Sequence, residues 1–302
     1  MQIISQISDL NRLIKKWRLS GQTIGLVPTM GSLHDGHLRL VEMARKDSDK
    51  VVVSIFVNPT QFAPTEDFDQ YPRDIDSDRV KLEKYSPDLI FTPTTQAIYP
   101  KGAASTRVCP SESLSQILCG KSRPHFFDGV AQVCSILFNI VQPDFAYFGE
   151  KDRQQLVIIR RMVRDLHFPI IIINVPTERD VHGLALSSRN SYLSEEQRIF
   201  ASELFKTMSR VKSQILAGNQ DYAYLCNRAI EHLTNMGFVV DYFELRNSID
   251  LSEDLQANRC IFAAANLEAT RLIDNLLVDA EPATPIPVSY NIDSQATELL
   301  FF

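Results

Sequence analysis

A segment containing glycine and histidine, residues 28–37, has the residue types of a phosphate-binding site. His34 and His37 are three positions apart, so both imidazoles can face one ligand where a helix begins. Gly31 permits a tight turn, and Gly36 lets the backbone approach a ligand closely. Unpaired N–H groups at a helix start attract anions, and protonated imidazoles suit the charge that builds on an α-phosphate as pyrophosphate departs. The alternative is a surface turn with two solvated histidines, but a position between strand and helix favours phosphate binding.

Residues 185–190 form a second polar motif that includes Ser187, Ser188 and Arg189. Two hydroxyls and a guanidinium on a mobile loop can surround β- and γ-phosphates and follow them as they leave. Taken alone, the motif fits better with a polar loop between domains, in which Asn190 or Ser194 caps the next helix.

A third motif, residues 148–152, lies where a predicted strand ends and a helix starts. Gly149 permits close approach of a ligand, Lys151 offers a positive charge to phosphate, and Asp152 can bind ribose hydroxyls. An ordinary charged helix start explains Glu150 equally well. It explains Lys151 less well, because a cation there opposes the helix dipole.

Neutral polar side chains end the second predicted strand. Asn58 and Gln61 can hydrogen-bond a hydroxyl-bearing carboxylate without an ion pair that would quench its nucleophilicity, and Gln155 and Phe62 would complete the pocket. The competing interpretation is a turn with Asn58 as its local cap, which the following proline favours.

A run of aspartates at 74, 76 and 78 is interpreted as the start of a helix, with metal ligation as the alternative. His167, His182 and His232 are isolated, and no role is assigned to them. Residues 123–126 form a basic turn near the predicted site.

The elements that must position these motifs follow an α/β pattern. Short apolar runs predict strands at 23–27, 51–57, 88–91, 145–148 and 170–175, and helical spacing predicts helices at about 10–19, 36–46, 74–84, 129–141 and 152–166. Ser8 and Asp9 are the candidate caps of the first helix. Strands that are apolar on both faces and alternate with helices indicate a parallel sheet with right-handed crossovers, which binds ligands beyond the carboxyl ends of its strands.

The pattern changes after Pro176. Helices are predicted at about 195–216 and 222–236, and strands at 238–245, 260–265 and 270–278. We therefore expect a domain at 1–176, a smaller α+β domain at 177–280, and a poorly ordered tail at 281–302.

Composition narrows the class of protein. The chain has 302 residues, 44% of them hydrophobic, and a net charge of −6, which argues against a nucleic-acid partner. No apolar run approaches the ~18 residues of a membrane span, and the start lacks the basic region of a secretory signal. Five scattered cysteines fit a reducing cytoplasm better than a disulfide framework or a zinc site.

Six motifs in this order resemble those of the pantothenate synthetase (pantoate–β-alanine ligase) family, whose superfamily shares its fold with class I aminoacyl-tRNA synthetases. They are PTMGSLHDGH (28–37), VNPTQF (57–62), FDQYPRD (68–74), RPHFFDGV (123–130), FGEKDRQQL (148–156) and GLALSSRNSYLS (183–194). The resemblance covers about residues 1–280. It implies a Rossmann-like, doubly wound parallel sheet of the H-x-G-H nucleotidyltransferase type with a smaller α+β C-terminal domain.

The resemblance also implies the reaction. Pantoate attacks the α-phosphate of ATP to give pantoyl adenylate and pyrophosphate, and the amine of β-alanine then attacks the acyl carbon to give pantothenate and AMP. Magnesium accompanies ATP, and the family forms homodimers through the nucleotide-binding domain.

The family's site residues carry over by position. His37, with His34 beside it, and Lys151 are the implied catalytic residues. Asn58, Gln61 and Gln155 are the implied substrate contacts. The implied ATP-binding residues are Met30, Gly31, Ser32, Leu33, His34, Asp35, Gly36, His37, Gly149, Glu150, Lys151, Asp152, Glu178 (through its backbone), Leu186, Ser187, Ser188 and Arg189.

Two positions depart from the family pattern, and three alternative functions stay open. Phe126 stands where the family has a histidine, and His182 stands where an aspartate is common. A nucleotidyltransferase would need basic residues around its acceptor, and an aminoacyl-tRNA synthetase would need a tRNA-binding module. A non-catalytic nucleotide sensor should have lost His37, Lys151 or Arg189, and all three are present.

Overall fold

A computed structural model describes residues 1–63, 66, 68–100, 102 and 106–280. The predicted tail at 281–302 lies outside the described residues. Within the described part of the chain, no helix has the length and apolar character needed to cross a membrane.

A six-stranded, fully parallel sheet forms the first part of the chain, with strand order β1-β4-β3-β2-β5-β6. Its strands are β1 (Gln2–Ile4), β2 (Ile24–Thr29), β3 (Lys50–Ile55), β4 (Leu89–Phe91), β5 (Phe145–Gly149) and β6 (Ile171–Val175). The predicted α/β class and parallel sheet are therefore confirmed.

Helices cover both faces of this sheet. They are α1 (Ile7–Leu19), α2 (Asp35–Asp47), α3 (Ile75–Glu83), α4 (Thr95–Ile98), α5 (Glu112–Ser115), α6 (Cys119–Ser122), α7 (Phe126–Val141) and α8 (Arg153–Asp165). Successive strand residues point to opposite faces, so Leu26 packs in the core with α1, α7 and α8, whereas Val27 packs in the core with α2 and α3. Burial on both faces explains why these strands are continuous apolar runs.

The direction of chain winding reverses between β2 and β5, which are neighbours in the sheet. Ligands of doubly wound sheets bind at such a switch point, beyond the carboxyl ends of the strands. The segment after β2 contains His34 and His37, and the segment after β5 contains Lys151. The topology thus brings together two motifs that are more than a hundred residues apart.

The second part of the chain builds a three-stranded antiparallel sheet with order β7-β8-β9. Its elements are α9 (Glu195–Ala201), α10 (Glu203–Leu216), α11 (Tyr222–Asn235), β7 (Val239–Asn247), β8 (Arg259–Leu267) and β9 (Thr270–Leu277). The helices and the sheet share an apolar core of their own. This is the smaller α+β unit expected from the sequence.

Three details differ from the sequence-based expectations. The strand at Gln2–Ile4 was not predicted, because three residues carry too little pattern. Helix α1 begins at Ile7 with Gln6 as its N-cap and without a side-chain cap, so the proposed caps Ser8 and Asp9 lie inside the helix. The single long helix expected at 195–216 is interrupted at Ser202, whose hydroxyl donates to the Ile199 carbonyl and competes with the backbone ladder.

Candidate active site

A cavity of about 740 Å³ lies at the switch point, between the parallel sheet and the smaller unit. Its wall combines side chains from both parts of the chain. Of the residues implied by the family motifs, those that line it are Met30, His34, Gly36, His37, Gln61, Gly149, Lys151, Asp152, Gln155, Glu178, Leu186, Ser187, Ser188 and Arg189.

His34 and His37 form a capping box at the start of α2. The Gly36 N–H donates to Nδ1 of His34 at 3.2 Å, and the His34 N–H donates to Nδ1 of His37 at 3.4 Å. The two rings are 4.1 Å apart between centroids. Because both Nδ1 atoms accept hydrogen bonds, the Nε2–H groups are the donors that remain for a ligand.

The charge state of this pair corrects one expectation. Burial, together with His37 and Lys151, lowers the pKa of His34 to about 2. Burial and the charges of Lys151 and Lys81 lower the pKa of His37 to about 4. These lowered pKa values make both imidazoles neutral near pH 7 in the ligand-free protein, not protonated as expected from the sequence, and each neutral ring keeps one N–H that can donate to a ligand.

Side chains of α3 hydrogen-bond the backbone of the turn that precedes the two histidines. Gly31 and Ser32 both adopt positive φ, +83° and +51°, and the Asp78 carboxylate accepts the N–H groups of Ser32 at 2.9 Å and Leu33 at 2.7 Å. Lys81 donates to the Leu33 carbonyl at 2.8 Å. The amides of Ser32 and Leu33 are thus used by the protein, and neither residue lines the cavity.

Replacing Asp78 with alanine should destabilise the fold and loosen this turn. Asp78 is only 2% exposed, so the change leaves the buried N–H of Leu33 and the half-buried N–H of Ser32 without an acceptor, at a cost of about 2–4 kcal/mol. Urea denaturation measures the loss, with exposed Asp76→Ala on the same helix as the matched control, expected to change stability by at most about 0.5 kcal/mol. Equal stabilities for the two variants would contradict this role of Asp78.

Lys151 enters the cavity from a 3₁₀ turn that joins β5 to α8. Its Nζ is 3.7 Å from the Asp152 carboxylate, and its side chain is 17% exposed. Glu150 points elsewhere: it accepts from Asn174 of β6 and lies 3.5 Å from the Arg153 guanidinium. Glu150 thus anchors the turn, and it does not line the cavity.

The segment from Glu178 to Arg189 closes the other side of the cavity. The Leu186 N–H donates to the Glu178 carbonyl at 2.9 Å, and Ser187 caps the short 3₁₀ helix that carries Ser188 and Arg189. The Ser188 hydroxyl lies 3.2 Å from the Tyr71 hydroxyl, which links this segment to the first part of the chain.

Both predicted caps around this segment have structural roles. Asn190 is buried and donates to the Ala185 carbonyl at 3.0 Å. Ser194 forms a capping box with Gln197 at the start of α9. Ser194 is therefore the predicted cap of the next helix, whereas Asn190 does not cap it and instead braces the loop. Ser187, Ser188, Arg189 and Asn190 all line the cavity.

Asn58 orients Gln61. The Asn58 amide donates to Oε1 of Gln61 at 2.9 Å and to the Gly129 carbonyl at 3.1 Å, and its oxygen accepts from the hydroxyls of Thr60 and Tyr99. Because Oε1 of Gln61 is used, its Nε2–H groups are left for a substrate oxygen in the cavity. Asn58 is buried and does not line the cavity, so its link to the cavity passes through Gln61.

Arg123 supports the same pocket but is paired. It donates to both oxygens of Glu66, at 2.5 and 2.7 Å, and to the Gln61 carbonyl at 3.0 Å. Burial raises the pKa of Glu66, but the hydrogen bonds and charge of Arg123 outweigh burial and lower it below its ordinary value. The Phe126 ring, at the position where the family has histidine, lies 3.8 Å from the guanidinium.

The two glutamines of α8 have different tasks. Gln154 is buried and donates to the carbonyls of Leu114 and Ile117 while its oxygen accepts the Cys119 N–H. Gln155 is half-buried and lines the cavity. His182, the second departure from the family pattern, is exposed and lies outside the cavity wall.

Six of the implied residues do not reach the cavity: Gly31, Ser32, Leu33, Asp35, Glu150 and Asn58. Sequence reasoning also missed residues that support the site. Lys81 had no signal beyond its helical spacing from Asp78. Asp274 and Asn275 are two polar residues between the apolar pairs 272–273 and 276–277 of β9, a pattern that could have identified them as buried partners.

Among the described residues, no group of three or more His, Cys, Asp or Glu side chains is arranged to hold a metal ion. A structural metal site built by the protein alone is therefore not found in that part of the chain. Magnesium bound through substrate phosphates and water needs only one or two carboxylates from a protein, and Asp152 beside Lys151 fits that requirement.

Comparison with known proteins agrees with the geometry. Relatives named pantothenate synthetase include one from Hahella chejuensis, 49% identical over 280 residues (92% of this chain and 99% of the relative). Another, from Hydrogenovibrio crunogenus, is 47% identical over 281 residues (92% and 99%).

Solved structures are similar over nearly the whole chain. Pantothenate synthetase from Thermus thermophilus has a TM-score of 0.86 at 42% identity, covering 93% of this chain and 100% of that one. Pantoate–β-alanine ligase from Francisella tularensis, solved in a complex with β-γ ATP and β-alanine, has a TM-score of 0.77 at 34% identity, covering 94% and 100%. The sequence model of the pantoate–β-alanine ligase family matches residues 2–277. The chain therefore belongs to the pantoate–β-alanine ligase family.

Proposed function

We propose that the chain catalyses the ATP-dependent condensation of (R)-pantoate with β-alanine to give pantothenate, AMP and diphosphate through a pantoyl adenylate. The observation that carries this proposal is the meeting of His34, His37 and Lys151 with the amides of Gln61 and Gln155 in one cavity at the switch point. The cavity thus places cationic and imidazole donors that can bind phosphate next to uncharged amide donors that can bind a carboxylate.

In the first step, a pantoate carboxylate oxygen attacks the α-phosphorus and the bond to diphosphate breaks. The Nε2–H groups of His34 and His37 and the ammonium of Lys151 donate to the phosphate oxygens on which negative charge builds. Ser187, Ser188 and Arg189 hold the departing diphosphate from the opposite wall. Donors that are already positioned by the fold stabilise this charge without reorganisation.

In the second step, the amine of β-alanine attacks the acyl carbon and AMP leaves. Gln61 holds the acid in place through its Nε2–H groups, with Gln155 as the second amide of the pocket. Neither amide carries a charge, so the carboxylate stays nucleophilic in the first step.

The paired state of Arg123 argues against the nucleotidyltransferase alternative. A phosphate-bearing acceptor needs uncompensated cations next to the amide pocket. The guanidinium there is neutralised by Glu66 in a bidentate pair, so the pocket suits a neutral or singly charged acceptor. We therefore expect the protein to bind phosphorylated acceptors more weakly than pantoate, whereas a nucleotidyltransferase would bind them more tightly.

We further propose that Mg²⁺ arrives with ATP and that Asp152 contacts the ion or its water. Bound there, the ion would reduce the negative charge on the phosphates. The first 176 residues would bind nucleotide and pantoate, residues 177–280 would act as a lid, and two chains would pair through the first unit as a homodimer. All five cysteines are free, which suits the cytoplasmic location we propose.

Product analysis tests the proposed function. Purified protein is incubated with pantoate, β-alanine and MgATP, and pantothenate, AMP and ADP are measured by mass spectrometry. We expect one AMP for each pantothenate and no ADP. Formation of ADP would indicate an acyl phosphate in place of an adenylate, and absence of pantothenate would reject the proposal.

Replacement of Gln61 with alanine should act on the acid substrate. Loss of hydrogen bonds to a charged carboxylate should raise KM for pantoate about 10- to 100-fold, with a small change in KM for ATP. Steady-state kinetics measures both constants, and Gln116→Ala, an exposed glutamine outside the cavity wall, is the matched control. An unchanged dependence on pantoate would remove Gln61 from the pocket.

A further inference from the structure

Strand β9 touches both segments that carry the proposed phosphate-binding groups. Asp274 accepts two hydrogen bonds from Arg179, at 2.5 and 2.9 Å, and so ties the segment that leads to Ser187 and Arg189. Its neighbour Asn275 contacts the turn that carries Lys151. Consecutive residues of a strand point to opposite faces, so the two segments meet β9 from different sides.

All hydrogen-bonding groups of the Asn275 side chain are engaged by that turn and by Arg153, the first residue of α8. Nδ2 donates to the carbonyls of Glu150 and Lys151, both at 2.8 Å, and Oδ1 accepts from Nε of Arg153 at 3.1 Å. Asn275 is 6% exposed and Arg153 is 1% exposed. Water therefore has little access to these bonds, and no other common side chain supplies two donors and one acceptor in this shape.

The Lys151 carbonyl is bonded to the Cα atom from which its long side chain extends, so the hydrogen bond from Asn275 fixes the base of that side chain. A lysine ammonium is a point charge on a flexible stem, so the position of its backbone decides where the charge can reach. Misplacement of a reacting group by about 1 Å can cost about 100-fold in rate. By holding these backbone carbonyls, Asn275 can determine where the Lys151 ammonium lies without contacting the ammonium itself.

We propose that Asn275 is the positioning residue of Lys151: the smaller C-terminal unit places the phosphate-binding ammonium of the first unit by holding the carbonyls of its turn. The proposal rests on the proposed role of Lys151 in nucleotide binding. It makes the affinity for ATP depend on the docking of β9, since separation of the two units breaks both carbonyl contacts at once.

A double-mutant cycle in ATP affinity tests the proposal without turnover. Asn275→Ala should weaken ATP binding at least about tenfold in the otherwise unchanged chain, but less than about twofold when Lys151 is already alanine. Titration calorimetry with MgATP measures all four chains. Asn275→Asp, which keeps the acceptor for Arg153 and replaces the donors with a carboxylate, serves as a second variant if alanine does not fold.

Ile261→Val is the control for a general loss of stability. Ile261 is fully buried in the core of the same sheet, on the strand next to β9, and lies outside the cavity wall. Its variant should leave ATP affinity unchanged. Equal weakening by Asn275→Ala in both backgrounds, or no weakening in either, would overturn the proposal. A failure of the proposed ligase reaction would instead appear as normal ATP binding and coupling without pantothenate formation.

Discussion

Lys151→Ala should lower the rate of adenylate formation at least ~100-fold, the size expected when a group that stabilises transition-state charge is removed. The loss should fall on the first half-reaction, because in the proposed mechanism the ammonium donates to phosphate and not to the acyl carbon. Conversion of supplied pantoyl adenylate by β-alanine should therefore stay within a few-fold of the unchanged chain. Single-turnover assays of each half-reaction separate the two rates.

Two further variants sharpen this prediction. Lys151→Arg keeps the charge but changes its shape, and should recover part of the activity if charge is what the site needs. Lys121→Ala removes an exposed lysine of α6 that does not line the cavity, and should have no effect. A folded Lys151→Ala protein that forms adenylate at a normal rate would remove Lys151 from the catalytic group.

His37→Ala should produce a loss of similar size, at least ~100-fold in adenylate formation. His37→Gln should recover part of it, because the glutamine amide can donate a hydrogen bond without ever carrying a proton charge. The expected difference between the alanine and glutamine variants follows from the neutral state of the His37 imidazole. If glutamine is as inactive as alanine while both proteins fold normally, a charged imidazolium is required and the neutral-donor account is wrong.

The pH dependence offers an independent check on the same histidine. With the pKa of His37 lowered to about 4 and that of His34 to about 2 in the ligand-free protein, both rings stay neutral from pH 6 to pH 8. Neither should therefore produce an inflection in that range in the pH profile of kcat/KM, which reports the groups of the free enzyme. A histidine whose folded pKa lies below the unfolded value of 6.5 stabilises the fold above pH 6.5, and the stabilisation is lost as pH falls towards 4. His37→Gln should therefore lose less stability than the unchanged chain over that interval.

Much of the fold followed from local patterns. Apolar runs such as residues 51–53 are buried on both sides of the sheet. Because both faces of a parallel strand are buried, the strand appears in the sequence as a continuous apolar run. The segment at 28–37 was located for the same reason, since a strand, a glycine turn and a helix start determine where its side chains lie. The break at Ser202 was missed because the helical spacing continues across it.

Other features depend on contacts that sequence spacing does not contain. Protonated imidazoles were expected because an isolated histidine titrates near neutrality. The pKa of His37 is lowered by its burial and by two nearby lysines, and only the folded structure shows these surroundings. Asp78 was interpreted as part of a helix start, although its carboxylate holds a turn 45 residues earlier. Asn275 contacts a turn 124 residues away, which no local pattern can indicate.

The central claim is that this cavity forms a pantoyl adenylate. Exchange of labelled pyrophosphate into ATP, measured with magnesium and without β-alanine, tests it most directly. We expect exchange that requires pantoate, because only an adenylate formed reversibly returns the label to ATP. Absence of pantoate-dependent exchange in folded protein that binds ATP would contradict the adenylate mechanism.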